Sequence, residues 1–520
     1  MSKALTKIFL GALLILIAAS AFIPNVQAQR QMPPEYKEIA AASRVTDADA
    51  RLKEFERIKA AYPNSEMIRA INSFILTAKI ELADTLEAVL GMQKGGVEQA
   101  QGPERLATMA GSAEEILEHP KLSTFAPPLV TAAIQAYKDQ AFKAASLPDT
   151  FKGIPPDQIK FFKGYYLSGF DVSLALAYLN EGQAAKALTA LEAYKKNGGL
   201  PDGRYSYSLA EVRAKLGQSK DALESYLDAA VDQYKDAADK AKALYIKLNG
   251  RDKGFEASLE AKARELPYAV APFKPSSEWK GKAVLAEIFT GSECPPCVGA
   301  DLGFDGLIES YPARYLAVLE YHLPIPRPDP MMNPATKKRQ GYYGVNSTPT
   351  VFIDGEKKMA GGGSRSMAGE KFKQYAAEVA PRLIGAPGVA LTVEAGRAGD
   401  EVKVKCGFDR AVPGAEYYVV LVQGEEKYKG SNGIVFHKHV VRDLAVLDPA
   451  AARDVVFNLA ASEQAADQYL TDFEKTYDRI PNFKFAERRF KINRQGLKVL
   501  FFVQDTTTKK VLNAAAAEVK

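Results

Sequence analysis

Cysteine is nearly absent from this chain, with three in 520 residues. So few thiols exclude a small secreted scaffold stapled by disulfides, and stability must come from packed cores. No second C-x-x-C occurs that could complete a four-thiolate zinc site beside Cys294 and Cys297. No long run of lysine or arginine appears either. The formal charge is only +5, with two of those charges on Lys3 and Lys7, so nucleic acid is not an expected partner. A length of 520 residues exceeds what one core serves and predicts several domains.

What is present begins with a pattern expected of an export signal. Lys3 and Lys7 precede an apolar run from Ile8 to Phe22, and the small-residue pattern Val26-Gln27-Ala28 follows. The run is short for a membrane span and the chain turns polar after it. The expectation is a signal peptide over residues 1–28, cleavage after Ala28, no membrane span thereafter and a periplasmic or extracellular protein. No cysteine follows to carry a lipid.

Residues 29–270 read as an α-helical domain, because Leu52, Phe55 and Ile58, then Met67, Ile71, Phe74 and Ile75, recur at spacings of three and four. Leu174-Ala175, Gly182-Gln183 and Ala187-Leu188 return as Leu209-Ala210, Gly217-Gln218 and Ala222-Leu223, a period of 35. This repeat resembles tetratricopeptide helix pairs, in which small residues let neighbouring pairs stack. Residues 271–278, with Pro272 and Pro275, read as a linker. From there strand and helix signals alternate: strands near 283–290, 315–323 and 350–353, helices near 297–310, 333–343 and 366–383. Pro387-Gly388 marks a boundary, and the alternating runs beyond it predict a β-sandwich-like domain over 387–520 with a helical insertion at 462–477.

Cys294-Pro295-Pro296-Cys297 lies between a strand and a helix, which places Cys294 at a helix N-terminus. Free backbone N–H groups favour a thiolate there, so Cys294 is the expected accessible nucleophile and Cys297 the resolving thiol. Pro295 and Pro296 offer no N–H and Glu293 adds a negative charge. Both disfavour the thiolate and point to the reductase or isomerase side of disulfide exchange.

Together with Thr348-Pro349-Thr350-Val351-Phe352-Ile353-Asp354-Gly355, this motif resembles the thioredoxin-like superfamily across 279–386. The resemblance implies an α/β thioredoxin-like domain, a cis Pro349 beside the dithiol, and Thr348 as a backbone partner for an extended substrate. Tyr321-His322-Leu323 with the proline-rich segment after it is similar to secreted thioredoxin-like proteins, and His322 at a strand end would accept a proton, hydrogen-bond substrate, or serve packing alone. The tryptophan usual before the first cysteine is replaced by Glu293. Glu287 lies one residue off the family's buried acid, which turns it to the other face.

The expected function is protein thiol-disulfide exchange on protein disulfide or dithiol substrates with an unidentified electron donor or acceptor, needing no cofactor and no metal. Peroxide chemistry fits a lone nucleophile better than this pair. The alternative is a partner-binding scaffold with a structural disulfide. Cys406, His437 and His439 could be imagined as further zinc ligands, but the histidines fall in a different expected domain and read as a solvated or domain-contacting strand face. Cys406 continues the Val402/Val404 face and reads as a small core residue.

Overall fold

The computed structural model describes residues 34–450 and 453–520, so the expected export segment lies outside it. Two compact units emerge, one running to Leu244 and the other from Tyr245 to Lys520 together with Ala230–Gln233. Helices continue past this division to Arg264.

In the helical unit, side chains from outside the first turn start the helices. Asp47 accepts from Ala50 N–H at 2.8 Å, Thr85 from Ala88 N–H at 3.2 Å and Asp202 from Tyr205 N–H at 2.9 Å. Each satisfies a donor that the helix leaves unpaired. The period of 35 corresponds to two helix pairs, Ser168–Asn180 with Ala184–Lys196 and Gly203–Lys215 with Ser219–Val231. Gly182 and Gly217 turn the chain within each pair at φ of 75° and 77°, the left-handed region where glycine carries no steric cost. Ala175, Ala187, Ala210 and Ala222 are fully buried, as helix contacts between small residues require.

The second unit is organised by one mixed sheet of eight strands. Its first strands are β1 (Val284–Thr290), β2 (Leu316–His322), β3 (Thr350–Ile353) and β4 (Lys357–Ala360). β1 runs parallel to β2 and antiparallel to β3, and β4 pairs antiparallel with β3. Helices Cys297–Ser310, Pro334–Tyr343 and Ala368–Arg382 stand where alternation of strand and helix signals predicts them.

The expected boundary at residue 387 does not divide this sheet. Beyond it come β5 (Leu391–Ala398), β6 (Glu401–Phe408), β7 (Ala415–Lys427), β8 (Phe436–Leu447), β9 (Asp454–Asn458), β10 (Leu497–Asp505) and β11 (Val511–Glu518). The order is β11-β10-β7-β8-β2-β1-β3-β4, so four of these strands extend the sheet, while β5, β6 and β9 form a second sheet of three. β8 joins parallel to β2 at Glu320 and Val440. Left bare, the outer edge of β2 would present unpaired backbone groups, and β8 covers it. The sandwich expectation holds in part. Tyr417, Val419, Leu421 and Phe501 pack against Val402, Val404, Cys406 and Phe457 of the smaller sheet. Helix Leu459–Thr476, capped by Asn458, is the expected insertion.

Both faces of β1 and β2 are covered, as near-continuous apolar strands require. Val284, Ala286 and Ile288 with Leu316 and Val318 lie beneath Ala300, Phe304 and Leu307 of helix 297–310. On the opposite face, Leu285, Phe289, Leu319 and Tyr321 share a core with Tyr418, Val420 and Phe502.

Candidate functional site

Cys294 and Cys297 form a disulfide at the end of β1, with Cys297 opening helix 297–310. The turn is held by its own backbone: Cys294 N–H donates to the Gly291 carbonyl at 3.0 Å, and Cys297 N–H to the Cys294 carbonyl at 3.1 Å. A glycine loop closes one side, with Gly363 N–H donating to the Pro296 carbonyl at 2.7 Å and Gly299 N–H to the Gly363 carbonyl at 2.8 Å. Glycine is required at 362, because a Cβ there would collide with the Pro296 carbonyl and the Pro349 ring. Thr348 Oγ1 lies 3.4 Å from Cys294 Sγ and donates to the Ile325 carbonyl at 2.8 Å. The Thr348–Pro349 bond is cis.

The expectation that Cys294 is accessible is corrected: both cysteines are fully buried, and only Pro295 of the motif is exposed. The cover comes from the segment before β8. Asn432 donates from its backbone N–H to the Ser292 carbonyl at 3.1 Å and from Nδ2 to the Gly291 carbonyl at 3.3 Å. Ser431 N–H reaches Glu293 Oε1 at 3.4 Å, and Gly430 approaches Ser292 too closely for a Cβ. The segment before β8 thus supplies the cover over the turn that follows β1.

A second group of polar side chains lies beside this loop. Glu320 and His322 continue the face of Leu316 and Val318 by the strand period of two, towards helix 297–310. His322 Nδ1–H donates to Asp329 Oδ2 at 3.0 Å, and the same oxygen accepts from the N–H and Oγ of Ser292, at 2.6 and 2.9 Å. His322 is therefore tied through Asp329 to the loop that carries Cys294. Its other nitrogen, Nε2, lies 2.7 Å from Glu320 Oε1, which in turn is 3.6 Å from His437 Nδ1. His437 Nε2–H donates to the Tyr428 carbonyl at 3.0 Å.

The electrostatics follow from this crowding. Burial alone would lower the His322 pKa, but Asp329 and Glu320 raise it to about 10. Burial works against ionising Glu320, and His322 and His437 outweigh it, bringing the carboxyl to about 2. Asp301, on helix 297–310, is driven well above the usual carboxylate range by burial and then by the charge of Glu320.

Of the two alternatives expected for His437, a solvated or a domain-contacting face, the structure has the second: it lies buried beside His322, their rings 5.0 Å apart. No local pattern announces this, because it depends on the pairing of β2 with β8. His439 is partly buried and donates to the Val318 carbonyl at 3.2 Å. Cys406 is buried in the inter-sheet core, as expected.

Glu287 faces away from the dithiol. Arg339 donates to both its oxygens, at 2.7 and 2.9 Å, and Tyr343 and Tyr321 hydroxyls complete its shell at 2.7 and 3.2 Å. It is a structural anion. The helical unit carries a cavity of about 610 Å³ lined among others by Glu114, Glu115, Glu118, Tyr165, Tyr166 and Arg204, and by none of the residues expected from sequence to act on disulfides.

Compared with known proteins, the chain matches no family model, no curated protein and no solved structure.

Proposed function

We infer that this chain is an exported thiol-disulfide oxidoreductase of thioredoxin-like type, acting on protein disulfides or dithiols from the reductase or isomerase side. The observation that carries the reading is the Cys294–Cys297 disulfide at the start of helix 297–310 with Thr348 3.4 Å from Cys294 Sγ. The order β2-β1-β3-β4, with β1 parallel to β2 and antiparallel to β3, supports the thioredoxin-like assignment. Direction is supported by the donors around Cys294. Cys297 N–H is engaged by the Cys294 carbonyl and Gly299 N–H by Gly363, while Thr348 shares one hydroxyl hydrogen with Ile325. Few donors are left for a thiolate, and a less stabilised reduced form is the stronger reductant. The paired helices with their period of 35, read as tetratricopeptide-like, serve in this reading to hold a protein partner.

The test is a trapping experiment. With Cys297→Ser, reaction with a disulfide-containing protein should accumulate a mixed disulfide through Cys294, and Cys294→Ser should abolish it. A pair that resists dithiol reduction and forms no adduct overturns the reading. The second reading, a partner-binding scaffold with an inert disulfide, is favoured by one observation: both cysteines are buried beneath Asn432.

A further inference from the structure

We propose that Glu320, His322 and His437 form a binding site for one divalent transition metal ion, with zinc the ion their donor set suits. Their ligand atoms, Glu320 Oε1, His322 Nε2 and His437 Nδ1, lie within 4.8 Å of one another. All three residues are buried, at 4%, 1% and 2% exposure. None of the three atoms has a partner in hydrogen-bond geometry. Buried polar atoms are normally satisfied, and three orphans converging on one point need a common partner.

Tautomer chemistry identifies that partner as a cation. His322 Nδ1–H is committed to Asp329, and His437 Nε2–H to the Tyr428 carbonyl. His322 Nε2 and His437 Nδ1 are therefore the ring nitrogens that face Glu320 Oε1, and an ion entering between them displaces the proton that Asp329 and Glu320 favour on His322. This is the outer arrangement that metal-bound histidines use, with a carboxylate or carbonyl fixing the ring and raising its basicity. A proton on His322 Nε2 would face Glu320 Oε1 at 2.7 Å and would still leave His437 Nδ1 without a partner.

Two nitrogens and one carboxylate oxygen suit zinc, whose bonds of about 2.0–2.2 Å place tetrahedral ligand atoms roughly 3.3 Å apart. The two separations from Glu320 Oε1, 2.7 and 3.6 Å, bracket that value, and all three atoms lie within 4.8 Å of one another. A solvent molecule completes the fourth position in this proposal. Complete burial makes the site a structural one. A bound ion would fix the end of β2, β8 and, through Asp329 and Ser292, the loop carrying Cys294. This site does not depend on the redox reading, because none of its donors is a thiol.

The experiment uses the full chain with the 294–297 disulfide intact, titrated with Co²⁺ and followed by visible absorbance, then displaced with Zn²⁺. The expected result is one ion per chain, intense bands of a four-coordinate nitrogen and oxygen site, and no thiolate charge-transfer band. His322→Gln and His437→Gln should each weaken Zn²⁺ binding at least tenfold and Asp329→Asn by about 10- to 100-fold, while His439→Gln leaves it unchanged. No saturable binding by the unaltered protein, a six-coordinate spectrum, or full affinity in His437→Gln would each overturn the proposal. Because the first two readouts need no substitution, misfolding of a variant does not decide the outcome.

Discussion

Asn432 donates its backbone N–H to the carbonyl of Ser292, so a segment from the far C-terminal part of the chain lies over the turn that carries Cys294. Its side chain adds contacts to the Gly291 and Cys294 carbonyls at 3.3 and 3.5 Å. Asn432→Ala removes these side-chain bonds and keeps the backbone one. Reduction of the 294–297 disulfide by a dithiol should then be several-fold faster, measured by stopped-flow or by thiol alkylation against time. An unchanged rate would show that the cover over the disulfide is not what limits access.

The reduction potential tests direction. With few N–H groups free to stabilise a thiolate, the pair should equilibrate with glutathione more negative than the roughly −180 mV of protein disulfide isomerase. A value near the −120 mV of a strong oxidant reverses the assignment.

Arg339 is 1% exposed and Glu287 fully buried, and aromatic rings surround the guanidinium at 4.6 to 5.1 Å. Arg339→Met leaves a buried carboxylate without its partner, at a cost of about 3–5 kcal/mol. Adding Glu287→Gln should recover much of that loss, because no unpaired charge is then buried. Urea unfolding of the single and double variants measures both effects. A double variant as unstable as Arg339→Met would locate the loss in packing against Tyr418 and Phe502.

A fragment of residues 279–386 should not fold by itself. Phe289, Leu319 and Tyr321 lie in one core with Tyr418, Val420 and Phe502, and the outer edge of β2 is covered by β8. Stripping those residues exposes side chains worth about 1.5–3 kcal/mol each. Residues 245–520 should show a cooperative thermal transition and native near-ultraviolet dichroism. The shorter fragment should show neither, and a cooperative transition in it would mean that the shared core is dispensable.

Glu474 connects acid stability to one loop. Its burial opposes ionisation, but Arg488, Lys484 and the N–H of Phe485 outweigh it and hold the carboxyl down to about 2. A carboxyl depressed in the folded state contributes stability above its ordinary value of about 4.3, and that contribution is lost as pH falls towards 2. Glu474→Gln should therefore lower the urea midpoint at pH 6, and the gap to the parent protein should narrow between pH 4.3 and pH 3. A gap independent of pH would assign the effect to hydrogen bonding without charge.

Part of this structure is written within short windows of the chain. Alternation and helical spacing marked three strands and three helices between 284 and 382, though not β4, glycines at a period of 35 marked the turns of two helix pairs, and Cys406 was legible as a core residue from its neighbours on one strand face. These features depend on backbone preference and on which face of one element is apolar, both set by residues a few positions apart. Tertiary structure alone decided which edges meet. The pairing of β2 with β8 has no local signature, since Val440 reads as an ordinary strand residue until Glu320 lies opposite it. That pairing carries the sheet past residue 387 and brings His437 to His322, and the segment before β8 lies over Cys294. Glu287 likewise read as an acid on a strand and became the partner of Arg339 only when helix 334–343 lay across that face. Strand partners are chosen by exposed backbone and by shared cores between distant segments, and neither is visible until the chain has folded.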